Sequence, residues 1–120
     1  MEELVIIDDP RFDSHNVGTD LPEIPDRTDH IRASLKSCIG DAAIWVTPRD
    51  SDWDLPKTVH NNAYVAHVRK QCRVAENDSS TQWIQKDAEV CVTPGSEWAL
   101  LHAASSGVQA VDMVFNHKPT

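Results

Sequence analysis

No run of lysine or arginine interrupts this chain, whose formal net charge is −8. Phosphate backbones are held by concentrated positive charge, so direct nucleic-acid binding is not expected. No apolar stretch approaches the roughly 18–20 residues that a helical membrane span requires, so no membrane segment is expected either. The opening Met1-Glu2-Glu3-Leu4 lacks the basic and apolar regions of a signal peptide. Cysteine occurs only at Cys38, Cys72 and Cys91, with no CxxC pair. An odd count without paired spacing argues against a disulfide framework and for a reducing compartment, cytoplasmic or, in a eukaryote, nuclear. The glycines at 18, 40, 95 and 107 are isolated, which excludes a glycine-rich phosphate loop. Internal repeats and low-complexity tracts are absent as well.

What is present reads as an α/β domain. A 40% hydrophobic share in 120 residues is enough for one core and speaks against wholesale disorder. Leu4-Val5-Ile6-Ile7 is a continuous apolar run that predicts a strand buried on both faces, as in a parallel sheet. Residues 8–29, with prolines at 10, 22 and 25, form a long loop. Thr28 or Asp29 then caps a helix from about His30, with Ile31, Leu35 and Cys38 as a narrow apolar stripe and Gly40 as its end. Ala42–Val46 predicts a second strand, stopped at Thr47-Pro48. Asn61 or Asn62 caps a second helix whose inner face is Tyr64, Val65, Val68 and Cys72. Residues 73–89 read as loop, and Val90-Cys91-Val92 is too short to assign. Thr93 as cap and Pro94 at the first helical position open a last helix. Its expected inner stripe is Leu101, Ala104, Val108, Val111 and Phe115, at spacings of three and four. Trp45, Tyr64 and Phe115 belong in the core by this reading, whereas Trp53 and Trp83 anchor loops or rim a pocket. Each crossover helix of such a fold leads into another strand, and residue 120 falls where that strand should begin. The expectation is an incomplete domain over residues 1–120.

Candidate chemistry is sparse. None of His15, His30, His60, His67, His102 and His117 shows HExxH or HxH spacing. Asp13-Ser14-His15 has the D-x-H spacing but no third ligand nearby, and His60 and His67 are two helical turns apart, too far for one ion. The cysteines read as packing residues, and Ser96 lies outside any GxSxG elbow. Asp8/Asp9, at the carboxyl end of the first strand, and Asp87/Glu89 remain as ligand contacts or solvated charge. No catalytic residue and no metal ligand is assigned.

Four segments in order resemble the zinc-dependent histone deacetylase superfamily, above all its class II-like and acetylpolyamine amidohydrolase branches. They are Asp9-Pro10-Arg11-Phe12 with His15 and Gly18; Pro22-Glu23-Ile24-Pro25-Asp26-Arg27; Val59-His60 with Tyr64-Val65-Ala66-His67-Val68; and Asp87-Ala88-Glu89 through Val92-Thr93-Pro94-Gly95-Ser96 to Ala99-Leu100-Leu101. Leu21, Ile24, Thr28 and the order Glu97-Trp98 depart from the family pattern. The resemblance implies the amino-terminal strands and helices of an arginase/deacetylase-like three-layer α/β/α fold. It implies a family activity of zinc-dependent hydrolysis of acetyl-lysine or acetyl-polyamine. It also implies Glu89, Pro22 and Glu23 as substrate-rim residues. The paired histidines, zinc ligands and catalytic Tyr or His of the family match nothing here, so zinc belongs to the full-length family and no cofactor to this chain. The expected partners are a second copy or a full-length relative, met through exposed apolar faces. An acetylated substrate is expected only for a completed domain. The alternative is a small non-catalytic α/β protein that binds a protein partner. The covering of the apolar face between Leu101 and Phe115 separates the two readings from a closed, free-standing domain.

Overall fold

Strands β1 (Leu4–Ile7) and β2 (Ala43–Val46) pair in parallel, with Leu4 opposite Ala43 and Ile7 opposite Val46. They are seen in a computed structural model that describes residues 4–18, 24–85 and 89–116. Parallel neighbours need a crossover, and helix α1 (Asp26–Cys38) supplies it. This is the expected α/β unit. Its sheet has two strands among the described residues. Only Ala43 in it is fully buried, and Leu4 is 47% exposed. The expectation of a first strand buried on both faces is therefore corrected: β-branched composition selected the strand, but the described residues cover it only in part.

Helix α1 starts earlier than its apolar stripe indicates. Pro25 occupies the cap position without a side-chain cap bond, and Thr28 instead donates to the Pro25 carbonyl at 2.9 Å and to Asp13 Oδ1 at 2.8 Å. Proline's fixed φ pre-organises this first turn, and Asp26 and Asp29 suit its positive dipole end. No α1 residue is buried; Ile31 and Cys38 are exposed, contrary to the predicted stripe. Charge ties the helix down. Arg32 binds both carboxylate oxygens of Asp8, with Asp13 Oδ2 at 3.2 Å and Asp29 Oδ1 at 3.3 Å. Hydrogen bonds to Asp8 and then Asp13 raise the guanidinium's pKa further, against a smaller opposing effect of burial.

Helix α2 (Asn62–Asp78) is capped as predicted, with Asn61 Oδ1 accepting from the Tyr64 amide at 2.8 Å. Val65, Cys72 and Ala75 are buried, whereas Tyr64 is 41% exposed and leaves the expected inner face. The predicted loop from residue 73 is corrected twice. The helix continues to Asp78 because Ala75 packs fully inside, and it ends at Ser79 in the left-handed region (φ 50°). Strand β3 (Gln82–Gln85) then pairs antiparallel with β4 (Val90–Val92), with an irregularity between Trp83 and Gln85. The strand escapes prediction because its alternation is inverted: Gln82 and Ile84 turn partly inward and Trp83 turns out.

Helix α3 (Ser96–Asn116) begins after a turn, so Thr93 and Pro94 precede it rather than open it. Its buried line is Leu101, Ser105, Gln109 and Met113, with Ala99 and Ser96 nearer its start. The helix is thus turned by roughly 100°, one residue step, from the predicted face. Val108, Val111 and Phe115 are exposed, Phe115 at 78%. The cause is a polar clamp. Gln109 is 1% exposed; its Nε2 donates to the Thr47 carbonyl at 3.1 Å, and its Oε1 accepts from the Arg49 amide at 2.8 Å. Ser105 donates to the Arg49 carbonyl at 2.8 Å, and the Arg49 guanidinium meets Asp112 at 2.5 Å. The helix spends its buried face on the backbone leaving β2.

The core gathers Trp53, Val65, Cys72, Ala75, Val92 and Leu101, between α2, the β3–β4 hairpin and the start of α3. Trp45 is half-buried on β2, with Lys36 over its ring at 5.2 Å. The radius of gyration is 15.9 Å, against roughly 14 Å for a closed domain of this length. Among the described residues no helix is long and apolar enough to cross a membrane.

Replacing Gln109 by leucine removes its two part-buried hydrogen bonds, to the Thr47 carbonyl and from the Arg49 amide. Gln109→Leu is expected to destabilise the chain by about 1–3 kcal/mol, read as a lower urea midpoint; an unchanged midpoint would show the clamp to be idle.

Candidate functional site

Because β1 and β2 run in parallel, the loops leaving their carboxyl ends emerge on one side, where open α/β sheets place their sites. A cavity of about 590 Å³ has walls from both loops, within the usual range for small-molecule pockets. The loop after β1 contributes His15, and the loop after β2 contributes Trp53, Leu55, Pro56 and Thr58 to His60. Tyr64, Val65 and Val68 come from α2, Ile84 and the stretch Glu89 to Val92 from the hairpin, and Leu100, Ala104 and Val108 from α3. The lining is mostly apolar, and Glu89 is its single carboxylate among the described residues.

His15 is held by a short polar chain. Its Nδ1 lies 2.6 Å from Ser96 Oγ. Ser96 Oγ accepts from the Thr93 amide at 2.7 Å and lies 3.1 Å from Thr93 Oγ1, which accepts from the Asn16 amide at 3.2 Å. Thr93, Ser96 and His15 thus form one hydrogen-bonded chain that joins the start of α3 to the loop after β1. Ser96 is wholly buried, with its oxygen committed to this chain, so it acts as a link and not as a nucleophile. The sequence reading of Ser96 as first-turn helix chemistry agrees.

The corner carrying Ser96 fits only one residue type at its tip. Gly95 has φ +92°, and a Cβ there would lie 2.7 Å from the Ser14 side chain. Its amide donates to Glu76 Oε1 at 2.6 Å, and its carbonyl accepts from Ser14 Oγ at 3.1 Å. Nearby, Arg11 lies 4.1 Å over the Trp98 ring, Phe12 packs at 5.3 Å, and His102 stacks on Trp98 at 4.1 Å. These contacts lock the short 3-10 turn Pro10–Ser14 onto α3.

The sequence candidates separate as follows. Glu89 lines the cavity in the left-handed region (φ 58°). Pro22, Glu23 and Asp87 lie outside the described residues. Asp8 is bound by Arg32, and Asp9 accepts from the Arg11 amide at 2.8 Å; both have local structural work. Asp13 and His15 do not converge, since Asp13 faces Thr28 and Arg32 while His15 faces Ser96. Trp53 is both anchor and wall: it is 7% exposed, and its indole donates to Glu97 Oε1 at 2.7 Å. Glu97 also meets Arg73 at 3.4 Å. Sequence reasoning missed that pairing, because nothing in local spacing joins residues 53, 73 and 97. None of the three cysteines is in a disulfide. Burial, then Glu97 and Glu76, push the Cys72 thiol up to about 12, which makes it inert at neutral pH.

A family model for the histone deacetylase domain matches residues 21–120. The chain belongs to the histone deacetylase family. The solved structure "Crystal Structure of HDA15 HD domain" is similar in fold to this deacetylase-family chain, with a TM-score of 0.72 at 20% identity. The likeness covers 92% of this chain and 32% of that one, so the chain spans about a third of the solved relative's length. No curated protein matches the chain. The partial arginase/deacetylase-like α/β fold expected from the motifs is the fold found. The family is generally zinc-dependent, but among the described residues no three His, Cys, Asp or Glu side chains gather to hold an ion. The described residues do not fit the metal, and no step through it is assigned to them.

The Cys72 thiol sets a pH signature. Its folded value, about 12, lies above its ordinary value of 9.0. Folding therefore favours the neutral form; this contribution to stability is whole below pH 9 and is lost as pH rises toward 12. The wild-type urea midpoint is expected to fall more steeply above pH 9 than that of Cys72→Ala; parallel slopes would refute the assignment.

Proposed function

We propose that this deacetylase-family chain provides scaffold and substrate-side cavity wall for a deacetylase-type amidohydrolase and is inactive by itself. The observation that carries this reading is the cavity built by the loops at the carboxyl ends of both parallel strands. An apolar channel with one carboxylate at its lip suits a ligand with an apolar stem and a polar or cationic end, as in an acetylated lysine or polyamine. Glu89 is the rim residue of this reading. Family chemistry, zinc-promoted attack of water on an acetyl amide, needs a ligand set that the described residues do not gather. The chain's part is to shape and shield.

Purified chain given an acetyl-lysine peptide and zinc is expected to release no acetate. Zinc-dependent turnover that follows the protein through purification would overturn the inactive reading. The rim role has its own measurement. Glu89→Gly relieves a left-handed non-glycine backbone and is expected to stabilise the fold by about 1 kcal/mol. In the same variant, the nuclear magnetic resonance shifts that N-acetylputrescine induces at Tyr64 and His15 are expected to weaken. Undiminished shifts in Glu89→Gly would remove Glu89 from the rim.

A further inference from the structure

We draw no further inference here: the strongest candidate, the exposed apolar face of α3 from Val108 to Phe115, carries nothing because nothing in the structure shows what covers it.

Discussion

The buried Ser96 hydroxyl joins two parts of the chain that the sequence keeps some eighty residues apart, and the candidate site is built around that junction. It receives the Thr93 amide and sits against His15 Nδ1 at 2.6 Å. A hydroxyl with no access to water must satisfy its bonding inside the protein. Its partners therefore fix the turn after β1 relative to the first turn of α3. Gly95 makes the approach sterically possible, and the Arg11–Trp98–His102 stack holds it from the outside. Displacing this corner would displace His15, and with it one wall of the cavity.

A second polar constraint sets the other end of the molecule. Gln109 and Ser105 hold the backbone that leaves β2, and this decides which side of α3 is inside. Burying an amide is neutral at best unless both of its ends are bonded, and here both are. The consequence is that the more hydrophobic side of the helix, from Val108 to Phe115, faces outward. The chain buries polar groups that have partners and exposes apolar groups for which none exists among the described residues. This inversion, with the half-covered two-stranded sheet, gives the chain its large radius of gyration and surface.

Much of the architecture was legible in residue order. The β-branched runs at 4–7 and 43–46 became parallel strands, Asn61 became a cap, and the motif segments pointed to the histone deacetylase family that the domain match identifies. Less was legible where local signals are weak or cut both ways. The strand Gln82–Gln85 carries its tryptophan outward, so its alternation does not announce an inner face. Helix α1 is bound by Arg32 to Asp8 and Asp13, outside the helix, with no buried apolar residue of its own, so its hydrophobic stripe misplaced its start. Trp53 is a wall only because Glu97, on another element, accepts its indole proton.

By itself the sequence determined the two parallel strands, the cap of α2 and which family the motifs belong to, because strand-forming runs, caps and motif order are local properties of the chain. Tertiary structure alone decided which face of α3 is buried, which loop residues meet at the cavity, and that Asp13 and His15 turn away from each other. Those outcomes depend on hydrogen-bond partners and packing surfaces brought in from distant residues, and no spacing along the chain encodes them.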